Sequence, residues 1–222
     1  MDNQFCTIAE YGTGSDSTTY RVVLQRRVKD VTDIHEEFGG ERLPPGQRET
    51  TAFPVLSKGE TPSVPSDASF EVWGAVEDEL SVSLEEFKAF ASETHRQDFH
   101  CVTGWSRFYC TFRGVPFRSL AARVGVWEAA THVLFHAHDG YTTDLPLSAC
   151  LHEGVLLAWE FDGEPLSGEH GGPLRVVTPH RYAYKGAKWV SGVEFLTDPK
   201  RGYWENRGYS VTANPWNEER YI

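Results

Sequence analysis

Apolar and polar residues alternate in short runs along this chain, with turn-forming residues between the runs. Phe70-Glu71-Val72-Trp73-Gly74-Ala75-Val76 alternates at its start as the two faces of a half-buried strand do. Strand-like runs recur at Thr131–His138, Val155–Phe161, Leu174–Thr178 and Trp189–Leu196. Asp162-Gly163 directly after Phe161 is a strong hairpin signal. Helical spacing is confined to Leu84, Phe87, Phe90 and Ala91, behind the capping-box pattern Ser83-Leu84-Glu85-Glu86, which predicts a short helix over 84–91. Many short strands and few helices make an α+β fold with β dominant. Residues 1–50 differ from the rest: a polar extension to about residue 27, with one candidate strand at Tyr20–Leu24, then a charged arm through the Leu43-Pro44-Pro45-Gly46 turn. Phe53-Pro54-Val55-Leu56 opens a globular domain over 51–222, and 59–67 reads as loop.

Composition narrows the classes. At 222 residues, with 40% hydrophobic and 13% aromatic content, the chain can bury a core. No run approaches the ~20 apolar residues of a transmembrane segment. The first residues have neither a basic region nor an apolar stretch like a secretion signal, so a cytoplasmic location is expected. A net charge of −11 argues against nucleic acid as a partner. Only six of the 21 basic residues are lysines, which makes the position of each one informative. The four cysteines contain no CxxC pair, and their spacing fits no structural zinc site.

Three constellations could carry chemistry. Cys101, in Asp98-Phe99-His100-Cys101-Val102-Thr103-Gly104-Trp105-Ser106, is a core residue, a nucleophile or a soft-metal ligand. A nucleophile needs a base, and His100 points to the opposite side in an extended backbone. Downstream, His170-Gly171-Gly172-Pro173-Leu174-Arg175 is followed by Lys185 and Lys188. The glycines leave room for a ligand to approach the backbone, and the arginine fork and lysine charges suit phosphate. The two lysines share a face if Tyr184–Trp189 is helical. The third constellation is His136-Ala137-His138-Asp139, in which His136 and His138 on one strand face could hold zinc for a hydrolase.

Taken in order, Phe53–Leu56, Asp98–Ser106, Gly114–Phe117, Asp139–Thr143, His170–Arg175, Pro179–Trp189 and Gly202–Tyr209 resemble the molybdopterin-dependent oxidoreductases of the sulfite-oxidase fold, especially short prokaryotic members. The resemblance covers roughly residues 50–222 and implies molybdenum and molybdopterin as cofactors. It makes Cys101 the protein's thiolate ligand to molybdenum. His170, Arg175, Lys185 and Lys188 would hold the pterin and its phosphate. Asp139, Tyr141 and Thr142 would line the cofactor, with His100, Trp105 and Arg107 near the metal. Cys101, Arg107 and Tyr141 are then the expected catalytic residues. The implied activity is oxygen-atom transfer on a small-molecule substrate, sulfite oxidase-like or sulfoxide reductase-like. With no haem domain in the sequence, a separate electron-transfer protein is the expected partner. The rival readings are a molybdopterin carrier without turnover and the zinc hydrolase of His136 and His138.

Overall fold

The computed structural model describes residues 28–222; the strand expected at Tyr20–Leu24 lies outside them. The strands are β1 (Val28–Asp30), β2 (Arg48–Glu49), β3 (Ser69–Gly74), β4 (Leu80–Ser83), β5 (Glu93–Cys101), β6 (Trp105–Pro116), β7 (His132–Ala137), β8 (Thr142–Pro146), β9 (Leu156–Phe161), β10 (Glu164–Pro165), β11 (Arg175–Val177) and β12 (Val190–Leu196). The helices are short: α1 (Leu84–Lys88), α2 (Phe117–Val124) and α3 (Leu147–Cys150). One sheet runs β1-β5-β6-β9-β10, with β11 paired to β9 and β2 to β6; the other runs β4-β3-β12-β7-β8.

Local chemistry explains several of these elements. Ser83 accepts from the Glu86 amide while the Glu86 carboxylate accepts from the Ser83 amide, so the capping box starts α1 as its sequence predicts. Asp162 and Gly163 both take positive φ, 48° and 88°, the backbone that a two-residue turn between β9 and β10 needs. The strands expected over 70–76, 131–138, 155–161, 174–178 and 189–196 are all present, most a residue or two shorter.

The main core joins the two sheets. Phe70, Val72, Val133, Phe135, Val193 and Phe195 cluster with Val115, Leu157 and Val176, and with Phe117, Leu120 and Val124 of α2. Each such side chain contributes about 1.5–3 kcal/mol by leaving water. Along β9 the faces alternate: Leu157 and Trp159 join that core, while Leu156 and Ala158 join a second cluster with Phe99, Cys101, Trp105 and Phe112. Cys101 therefore lies on the sheet face turned away from the main core.

Residues 28–50, the arm, add two short strands to this sheet. β1 pairs in parallel with β5 and β2 with β6. Arg42 forms a two-pronged contact with the Asp98 carboxylate at 2.7 and 2.8 Å, and Phe38 stacks on Trp216 at 5.0 Å. The long β5–β6 hairpin was not legible in the sequence, because β5 buries His95, Gln97, Asp98 and His100 beside its apolar residues.

Candidate functional site

Cys101 ends β5, and Val102–Gly104 form the turn into β6. Gly104 adopts φ 91°, a left-handed backbone that costs glycine nothing, and its amide donates to the Cys101 carbonyl at 3.1 Å. The Gln47 side-chain amide donates to the same carbonyl at 3.2 Å. Thr103 Oγ1 lies 3.2 Å from the Cys101 Sγ. Burial pushes the Cys101 thiol up, while Thr103 and the charge of Arg220 pull it down.

That sulfur lines a cavity of about 330 Å³, within the range of small-molecule sites. Its walls are rich in rings: Phe53, Trp105, Tyr141, Tyr184, Trp189, Trp204 and Tyr209. Its cations are Lys58, Arg175 and Lys188. Lys58 is already engaged, donating to the Asp139 carbonyl at 2.7 Å and facing its carboxylate at 3.3 Å. Arg175 is 3% exposed, and its hydrogen bonds run to the carbonyls of His170 (2.9 Å) and Val176 (3.5 Å). Burial without a carboxylate lowers it to about 10. Burial and the Arg175 charge lower Lys188 to about 8. His170 stacks on Phe53 at 4.4 Å, and burial, with Arg175 beside it, keeps its imidazole below the usual range.

The glycines of the His170–Arg175 turn also serve its packing. A side chain on Gly171 would meet Lys188 Cγ at 2.9 Å and Arg175 Cβ at 3.1 Å, and one on Gly172 would strike the Leu166 carbonyl. The missing side chains let the turn fold against its own neighbours and bring Arg175 beside Lys188. Trp189 holds φ 53° on the cavity wall, an uncommon conformation for a bulky residue, fixed by its indole donating to the Gly168 carbonyl at 2.6 Å.

Of the expected site residues, the structure brings together Cys101, Asp139, Tyr141, His170, Arg175 and Lys188 around this cavity. Four others are elsewhere. Lys185 is fully buried, bonded to the Glu205 carboxylate and, at 2.8 Å, to the Asp144 carbonyl. The turn Ala183–Lys185 is a single 3-10 turn that ends at Gly186, so Lys185 and Lys188 do not share a face. Thr142 sits in β8, opposite His136. Arg107 pairs with Asp162 at 2.8 Å and lies over the Phe161 ring at 4.8 Å and the Phe53 ring at 5.5 Å. His100 lies on the far side of β5 from the sulfur, bonded to Ser106 Oγ at 2.8 Å, and burial drops it to about 3. Residues that the sequence did not single out include Lys58, Tyr184 and Arg220. Lys58, one of only six lysines, was the one signal available.

The zinc reading does not gain support. His136 Nε2 faces Glu194 at 2.9 Å, and among the described residues no three His, Cys, Asp or Glu side chains converge to hold a metal.

Residues 58–204 match the family described as oxidoreductase molybdopterin binding domain. The chain belongs to that molybdopterin-binding oxidoreductase family. It is 43% identical over 182 residues to the Bacillus subtilis protein named uncharacterized oxidoreductase YuiH, covering 81% of this chain and 92% of that one. It is 27% identical over 212 residues to the protein-methionine-sulfoxide reductase catalytic subunit MsrP of Xanthomonas axonopodis, covering 85% of this chain and 62% of MsrP. The sulfane dehydrogenase SoxCD of Paracoccus pantotrophus shares the fold, with a TM-score of 0.58 at 20% identity, over 67% of this chain and 42% of that one. The fold is thus the β-dominant sulfite-oxidase-like one, and membership makes molybdenum-bearing molybdopterin the cofactor. The residues present fit it. A soft sulfur donor lines the cavity, and a buried guanidinium there, hydrogen-bonded among the described residues to carbonyls and facing no carboxylate, calls for an anion. Among the described residues no helix is long and apolar enough to cross a membrane.

Proposed function

We propose that this oxidoreductase transfers an oxygen atom to or from a small sulfur compound, with reduction of an organic sulfoxide as the favoured direction. The observation that carries the reading is the shared cavity of the Cys101 sulfur and the uncompensated Arg175 guanidinium. Cys101 would hold molybdenum through its thiolate. Arg175, Lys188 and His170 would hold the pterin phosphate, with Phe53 fixing the His170 ring. Asp139, tied to Lys58 and to the Tyr141 amide at 2.9 Å, would shape the wall beside it. When bound, the cofactor supplies a two-electron centre able to take up or release an oxygen atom.

The lining argues for the substrate class. Arg175 and Lys188 are the cations that serve the cofactor in this reading, and Lys58 is neutralised by Asp139, so no cation remains free in the lining for an inorganic dianion. Trp105, Tyr184, Trp189 and Tyr209 offer ring contacts that suit the polarizable sulfur of a thioether or sulfoxide. Reduction of a sulfoxide consumes two electrons and two protons and releases the sulfide and water. The electrons would come from a separate carrier protein.

The test is made on protein expressed with molybdate. Molybdenum and released pterin are quantified, and a reduced dye is then offered methionine sulfoxide and dimethyl sulfoxide, with sulfite and an oxidised dye in parallel. Sulfoxide-dependent dye oxidation that Cys101→Ser abolishes is the expected result. Turnover of sulfite alone would reverse the direction, and zinc without pterin would overturn the reading.

A further inference from the structure

The turn that carries Cys101 is gripped from two segments outside the matched residues 58–204. From the arm, Gln47 donates to the Cys101 carbonyl at 3.2 Å and the Arg48 amide to the Gly104 carbonyl at 3.0 Å. From the other end of the chain, the Arg220 guanidinium donates to the Val102 carbonyl and, at 3.3 Å, to the Gly46 carbonyl. It therefore ties the residue next to Cys101 to the arm. Arg220 does not line the cavity, so it has no contact of its own with a substrate there.

Arg220 is also held firmly. Its guanidinium lies 5.0 Å from the centre of the Tyr182 ring, and its side chain is 19% exposed. Its backbone is anchored on both sides, the amide donating to the Glu218 carbonyl at 2.7 Å and the carbonyl accepting from Ser210 at 3.1 Å. The carboxylate beside it, Glu218, is 3.9 Å away and half exposed, a weak counterion in water. A planar fork on two carbonyls fixes geometry in a way a lysine point charge does not, and one of the two belongs to the turn that carries Cys101. Groups just outside a metal's ligands set both their orientation and the electron density they donate.

We propose that Arg220 is a positioning residue for the Cys101 thiolate, clasping its turn and supplying the positive charge that sets how strongly that sulfur donates to molybdenum. The proposal rests on the reading of Cys101 as the metal's thiolate ligand. It assigns a role to a residue that neither the cavity lining nor the matched family region includes.

The test compares molybdenum-loaded wild type, Arg220→Gln and Arg220→Lys by the thiolate-to-molybdenum charge-transfer absorption, by midpoint potential in a dye-mediated redox titration, and by steady-state kinetics. Arg220→Gln loses a charge that stabilises the more negative reduced centre, so its midpoint should fall and its absorption band should shift. Its kcat should drop with KM unchanged. Arg220→Lys keeps the charge but not the two-carbonyl fork, so its midpoint should return towards wild type while the band stays shifted. Band and midpoint unchanged in both variants, with only a lower Tm, would reduce Arg220 to a structural role and overturn the proposal. Should Arg220→Gln fail to load cofactor, the lysine variant decides alone, because an unshifted band there removes the clasp. A loaded wild type with no such band overturns the Cys101 reading and this inference with it, which separates that failure from the others.

Discussion

Arg175 illustrates how a residue can serve a site at the expense of the fold. Its guanidinium is 3% exposed, bonded among the described residues only to carbonyls, and lowered to about 10 by burial. At about 1.4 kcal/mol per pH unit, that fall amounts to as much as about 3 kcal/mol of destabilisation in the cofactor-free protein. Arg175→Met should therefore leave the apo protein at least as stable as wild type in urea while abolishing molybdopterin retention. A clear loss of apo stability would instead mark Arg175 as structural. Lys188 adds a pH dependence. Its folded value of about 8 lies below the unfolded 10.5, so between these the unfolded chain binds a proton that the folded one lacks, and stability rises with pH across that window. An anion in the cavity favours the charged lysine. Calorimetric titration of the apo protein should accordingly show pyrophosphate binding that weakens as pH rises through about 8. A profile flat from pH 7 to 9 would exclude Lys188 from the anion site.

Elements decide which lysine reaches the cavity. The 3-10 turn at Ala183–Lys185 buries Lys185 against Glu205, which also accepts from Thr143 Oγ1 at 2.7 Å. Breaking a buried pair from one side strands the other charge, so Lys185→Met should cost about 3–5 kcal/mol by urea denaturation. Lys185→Met with Glu205→Gln should recover much of that. If Lys185 held cofactor instead, stability would hold and only pterin affinity would fall. This misplacement also shows what the sequence could convey. Strands with one clean apolar face, such as 70–76, and turns with dedicated chemistry, such as Ser83–Glu86 and Asp162-Gly163, were legible because the signal is local. The order of motifs around Cys101, His170 and Arg175 was legible as a resemblance. The β5–β6 hairpin was not, because its polar face is covered by an arm supplying Arg42 to Asp98, a partner 56 residues away. Arg220 was equally hidden, since its contacts with Val102 and Gly46 join positions 118 and 174 residues apart in sequence.

For the molecule as a whole, the same arm-covered face makes acid the weak direction. Burial holds His180 well below the ordinary imidazole value, and burial also lowers His95 despite Glu93 beside it. Above pH 6.5 these imidazoles are neutral in both folded and unfolded chains. As pH falls below 6.5 the unfolded chain takes up protons that the folded one does not, so stability is lost from 6.5 downward, by up to about 1.4 kcal/mol per pH unit for each histidine. Carboxylates held low by their partners, such as Asp30 by Arg96 and Thr32, lose their contribution only as pH falls through the carboxylate range. Those lowered carboxylates therefore stay out of the interval from 6.5 to 5, where the histidines act. Urea midpoints measured across it should fall for the wild type and fall less steeply for His180→Gln, which has no proton to gain. Equal slopes in the two proteins would mean that His180 is protonated within the fold, in which case the layer between arm and sheet must admit water.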